Sequence, residues 1–108
     1  MNVVTDKTFQ TQVLERSETV PVIVDLWAAW CGPCRVLTPI LEKVVGETGG
    51  SVELGALDVD KNPHTAQAFG VRSIPSVFAF KNGKVVDSFV GARSERAVRK
   101  FVTKLVGR

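Results

Sequence analysis

The sequence predicts an α/β fold: a central mixed sheet of about five strands flanked on both faces by about four helices, in three layers. Three observations carry this. Residues 22–28 are apolar and largely β-branched at successive positions, as in a strand buried on both faces of a parallel or mixed sheet. Segments of helical spacing alternate with such runs: Val36, Leu37, Ile40, Leu41, Val44 and Val45, then Ala97, Val98, Phe101, Val102 and Leu105. Asn82-Gly83, between two β-prone stretches, is the strongest short hairpin signal. Strands alternating with helices that each need an apolar partner give a layered α/β sandwich.

The elements follow in order. Residues 2–5 are β-prone. Thr5 and Asp6 can cap a helix over 7–16 with Phe9, Val13 and Leu14 on one face. A turn at 17–21 leads to the strand over 22–28. The next helix is expected over 34–47, with Pro39 inside it as a source of a kink and Gly49-Gly50 ending it. A strand over 52–58 and a loop at 60–63 precede a short helix over 63–69, closed by Gly70. Strands over 76–81 and 84–90 pair antiparallel through Asn82-Gly83. Gly91 breaks the second, and Ser94 caps a last helix reaching about Val106. The order is βαβαβαββα, within a single domain over residues 1–108, with no repeat or low-complexity segment.

Composition narrows the class. The 108 residues are 44% apolar, which supplies a core and excludes a disordered chain. Fourteen basic and eleven acidic residues give a net charge of +3, and the isoelectric point is 9.1. The cations are dispersed apart from a modest cluster at 93–108, which reads as a solvated helix face. No aromatic-interleaved basic patch or motif points to nucleic acid. Residues 1–6 lack a charged stretch followed by an apolar one, so no export signal is expected, and no apolar run has the length of a membrane span. The expected location is cytoplasmic, with a mature organellar form as the alternative. In a reducing compartment two cysteines are better used in catalysis than as a structural bridge.

Both cysteines fall in Trp30-Cys31-Gly32-Pro33-Cys34, where the buried strand gives way to the long helix. Two cysteines separated by two residues at a helix N-terminus, beside a βαβ pattern, read as a redox pair. The thiolate is the nucleophile in disulfide exchange, and the free N–H groups and positive dipole end of a helix lower a thiol's pKa. Cys31, nearer the strand, is expected to be exposed. Cys34 lies about one turn in, on the same side, within reach of a short disulfide. Pro33 suits the first helical turn because its missing N–H has no role there, and Gly32 offers no side chain to obstruct an incoming disulfide.

This motif resembles the active site of the thioredoxin family, and the element order matches that family's fold along essentially the whole chain. The resemblance implies a protein-disulfide reductase with Cys31 as nucleophile and Cys34 as resolving cysteine. It implies a flavin- and NADPH-dependent thioredoxin reductase as electron donor, and thiol enzymes such as reductases and peroxidases as disulfide-containing clients. A monomer is expected. Asp25 lies in the buried strand six residues before Cys31; burial raises a carboxyl's pKa, and such a group can exchange a proton near neutrality. The resemblance makes it the acid/base for the second cysteine; by itself it also reads as a strand-end Asp bonded to backbone or water. The resemblance likewise implies a cis bond at Ile74-Pro75 facing the disulfide, where the Ile74 backbone pairs with an extended client segment. Without it, Pro75 is an ordinary strand-start proline. Trp30 is read as a partly exposed apolar contact for partners, Gly91 and Ala92 as the loop lining the same groove, and Trp27 as core.

Two residues depart from the commonest family pattern: Ala56 where many members have a lysine near the buried acid, and Ala29 where a polar or acidic residue is frequent. Loss of a cationic neighbour is expected to raise the pKa of Asp25 further. His64, the single histidine, is expected to face solvent. Two cysteines and one distant histidine make a poor zinc set, and no glycine-rich phosphate loop is present, so neither metal nor cofactor is expected. The competing functions are a disulfide oxidant or isomerase, which the Gly-Pro pair and absent export signal disfavour, and a binding module with incidental thiols.

Overall fold

The fold was described from a computed structural model, which covers residues 1–107; Arg108, the last member of the C-terminal basic cluster, lies outside the described residues. Five strands form one sheet in the order β1-β3-β2-β4-β5: β1 (Asn2–Val3), β2 (Val22–Trp27), β3 (Glu53–Asp58), β4 (Ser76–Lys81) and β5 (Lys84–Val90). β1, β3 and β2 are parallel, and β4 and β5 run antiparallel. The hairpin turn has positive φ at both Asn82 and Gly83, as a two-residue turn matched to strand twist requires.

Helices α1 (Gly32–Gly46), α2 (Pro63–Ala68) and α3 (Glu95–Leu105) complete the frame, with a π-helical stretch at Gln10–Glu15 running into a 3₁₀ turn at Arg16–Glu18. The alternation of β2 sends Ile23 into a core with Leu37, Leu41 and Val44 of α1 and Val98, Phe101 and Leu105 of α3. Val22, Val24 and Leu26 enter a second core with Val13 and an aromatic group of Phe9, Phe69, Phe78 and Phe80. β2 is therefore buried from Val22 to Leu26, and its C-terminal end is held rigidly where α1 begins.

Three details differ from expectation. The first helical segment is wound wider than an α-helix. Its buried residues, Phe9, Val13 and Ser17, recur every four positions, and a winding looser than 3.6 residues per turn keeps them on one face. Asp6 does not cap that segment: its carboxylate accepts from the backbone N–H groups of His64 and Thr65 (3.2 and 2.9 Å) and from the Thr65 hydroxyl, so it caps α2 across the fold. Thr5 Oγ1 instead accepts from Thr8 N–H. Helix α1 begins two residues earlier than expected and runs continuously through Pro39, whose ring nitrogen cannot donate to the Arg35 carbonyl.

Candidate active site

The site forms where β2 hands over to α1. Cys31 occupies the N-cap position of α1, and Pro33 sits in the first turn. The early start fits the residue types: Pro33 in the first turn gives up no needed N–H, and the Cys31 side chain accepts from the Cys34 N–H as the cap. The Cys34 N–H donates to Cys31 Sγ at 3.2 Å, the hydrogen bond that stabilises an anionic sulfur at a helix start. Cys31 and Cys34 are joined as a disulfide, with Cα atoms 5.4 Å apart.

Cys31 is not exposed as expected. Both cysteines are 3% accessible and pack with Ala28, under the partly buried side chains of Trp27, Val59 and Ile74. The bonded sulfurs thus lie in an apolar setting, rimmed by the exposed Gly32 and Pro33. Trp27 is only half-buried, because it stands at the strand end where the sheet's cover thins.

Trp30 is 69% exposed, and its indole N–H donates to Asp60 Oδ2 at 2.9 Å. That bond fixes the ring's edge and leaves its apolar face open. Asp60 was not legible as a site residue; its only signal was a place in the loop after β3. The Ile74–Pro75 peptide is cis. Ile74 packs on the cysteine cluster, and the Gly91 N–H donates to the Pro75 carbonyl at 2.8 Å. Gly91 has φ +90°, a backbone that favours glycine, and Ala92 beside it is exposed. Of the residues expected to line the groove, Ile74 packs on the cysteine cluster, and Gly91 is tied to it through Pro75.

Asp25, in β2, is fully buried. Thr38 Oγ1 donates to Asp25 Oδ2 at 2.7 Å, while Oδ1 has no hydrogen-bond partner. Burial raises its pKa to about 6; the Thr38 bond pulls the other way and the charge of Glu42 adds to the rise. Across the sheet Asp25 is flanked by Ala56 on β3 and Val77 on β4, neither of which has a polar side chain. Ala56 lines a cavity of about 460 Å³ together with Trp27, Cys34, Thr38 and Pro39. Ala29 is exposed, and its carbonyl accepts from Arg35 at 2.7 Å. His64 is exposed on α2. Among the described residues, no three His, Cys, Asp or Glu side chains are grouped to hold a metal ion.

This geometry can do one kind of chemistry well: a sulfur capped by a helix start, a second sulfur one turn on, and a buried carboxyl with a raised pKa bonded to Thr38, one turn after the second sulfur. Comparison with known proteins agrees. The family model described as Thioredoxin matches residues 1–104. The chain is 42% identical over 103 residues to a protein named Thioredoxin from Chlorobaculum thiosulfatiphilum, covering 95% of this chain and 94% of the relative. It is 39% identical over 105 residues to Thioredoxin of Rickettsia felis, covering 97% and 98%. To Thioredoxin of Mycobacterium bovis it is 44% identical over 103 residues, covering 95% and 87%.

Proposed function

The chain belongs to the thioredoxin family and is a protein-disulfide reductase working by thiol–disulfide exchange, and from that premise we propose that Cys31 attacks, Cys34 resolves and Asp25 manages the proton. In the reduced protein the Cys31 thiolate attacks one sulfur of a client disulfide. The client S–S bond breaks, a Cys31–client bond forms, and the departing client thiolate takes a proton from solvent. The Asp25 carboxylate then accepts the Cys34 proton. The Cys34 thiolate attacks Cys31 Sγ, the mixed disulfide breaks, and the second client thiolate leaves, protonated in turn by Asp25. The client gains two electrons and the protein ends as the Cys31–Cys34 disulfide.

The observation that carries this assignment of roles is the Cys34 N–H directed at Cys31 Sγ, which favours negative charge on Cys31 alone. Trp30, Gly32, Pro33, Ile74, Pro75, Gly91 and Ala92 form the rim that receives the client, which adds an extended segment along the Ile74 backbone. The family acts with disulfide-containing clients and reductase partners. For this chain we propose a thioredoxin reductase as donor, thiol-dependent reductases and peroxidases as clients, and a cytoplasmic location; use of both cysteines in the redox pair supports a reducing compartment. Among the described residues no helix is long and apolar enough to cross a membrane.

The test is trapping. Cys34→Ser leaves the first attack intact and removes the second, so mixed disulfides with clients accumulate and mass spectrometry finds them on Cys31. Cys31→Ser accumulates none. Adducts on Cys34 in the Cys31→Ser protein, at a rate matching the other variant, reverse the assignment.

A further inference from the structure

Asp25 needs something to hold its carboxylate, and the sheet supplies nothing. Its register partners are Ala56 on one side and Val77 on the other. Among the described residues, the hydroxyl of Thr38 is the only side chain that hydrogen-bonds it, at 2.7 Å, and Oδ1 is left without a partner. Thr38 follows Cys34 by four residues on α1, so both stand on one helix face. Thr38 is half-buried and also lines the cavity beside Ala56 and Cys34. Its side chain therefore touches the carboxylate and borders the space next to the resolving cysteine.

We propose that Thr38 is a positioning residue for Asp25: its hydroxyl fixes the carboxylate and sets the pH range in which Asp25 is ionised. Its bearing on the reaction rests on the reading of Asp25 as proton acceptor. A hydroxyl donor stabilises the charged carboxylate and not the neutral acid, so it opposes burial. The surroundings leave it little help. Helix α1 adds Glu42, a like charge four residues beyond Thr38, which works with burial and against ionisation. Strands β3 and β4 contribute Ala56 and Val77, which are neutral. No cation acts on Asp25 among the described residues.

The experiment compares the wild type, Thr38→Val and Thr38→Ser, titrated as the disulfide, in which neither cysteine ionises, and assayed for the resolving step from the reduced state. Valine keeps the shape and loses the donor; serine keeps the donor. The Asp25 side-chain carboxyl is titrated by ¹³C NMR. The resolving step is followed as release of the second thiol from a small aromatic disulfide, across pH 5 to 8. The Asp25 midpoint rises by about one unit in Thr38→Val and stays at the wild-type value in Thr38→Ser. The resolving step in Thr38→Val slows about twofold at pH 7 and about fivefold at pH 6, as the ionised fraction falls. A Thr38→Val midpoint equal to wild type, or a Thr38→Ser midpoint displaced as far as valine's, overturns the proposal. A displaced midpoint with an unchanged resolving step upholds the Thr38 role and removes Asp25 as the proton acceptor.

Discussion

Asp25 makes this protein's stability depend on pH in a direction opposite to that of most carboxylates. Its pKa stands at about 6 in the fold, raised by burial, against about 3.8 in an unfolded chain. The folded state therefore binds the proton more tightly than the unfolded state. The stabilisation this gives is full below the unfolded value and is lost as pH rises through 6. The loss amounts to about 2 kcal/mol between pH 4 and pH 7.5. In Asp25→Asn the slope disappears, so denaturant unfolding of the oxidised proteins should show the variant gaining on wild type by that amount over this range. A difference that stays constant with pH means that Asp25 is not desolvated. The sequence made this residue visible because a single acid interrupts an apolar β-branched run. It could not make Thr38 visible: a threonine on a helix has no mark of its partner until α1 is laid on β2. The exposure of Cys31 was misjudged for a related reason, since the cover from Val59 and Ile74 comes from loops distant in sequence.

Among the elements, the short helix α2 depends on a residue outside itself. Asn62 occupies its N-cap position without making a side-chain cap bond; Asn62 Oδ1 instead accepts from the Asp6 N–H at 2.9 Å, and Asp6 supplies the cap. Burial acts to raise the Asp6 pKa, but the bonds from Thr65 and the His64 N–H outweigh it and lower the pKa. This contribution is therefore present above the ordinary carboxylate range and lost as pH falls through the lowered value. Asp6→Ala should cost about 1 to 2 kcal/mol at pH 7, with the penalty shrinking in acid, measured by thermal or denaturant unfolding. Strand β3 meets a sharper constraint where the chain leaves β1. A Cβ at Gly55 would lie 2.6 Å from Val4 Cγ2, and the stiff valine cannot withdraw. Gly55→Ala should cost about 1 to 3 kcal/mol, and combining it with Val4→Ala should cost less than the two singles together. Strands β4 and β5 were legible to the residue because Asn82-Gly83 fixes the turn. The cap from Asp6 was not, because 56 residues separate it from Asn62. The wide winding at Gln10–Glu15 escaped because spacing at Phe9, Val13 and Leu14 also suits an α-helix.

At the scale of the whole molecule, the fold was readable in outline because each face of β2 must be covered, and the chain provides α1 and α3 for one face and the first helical segment and α2 for the other. What holds α3 down decides how the disulfide end keeps its shape, since α3 packs on α1 and the site is built on the start of α1. Two kinds of contact compete for the credit. Arg99 pairs with both Glu47 and Glu95, and Lys43 also reaches Glu95, but these side chains are largely in solvent, where screening and side-chain entropy leave an ion pair little net effect. Phe101 is buried in the shared core and stacks edge-on against Phe89, with ring centroids 4.9 Å apart. Truncating a buried phenylalanine costs about 3 to 5 kcal/mol. Phe101→Ala should therefore lower stability several times more than Arg99→Ala in urea unfolding, and raising the salt concentration should weaken wild type and Phe101→Ala alike while leaving Arg99→Ala less affected. Equal losses from the two substitutions would mean that the charged network, and not the apolar seam, fastens the last helix to the one that carries the cysteines.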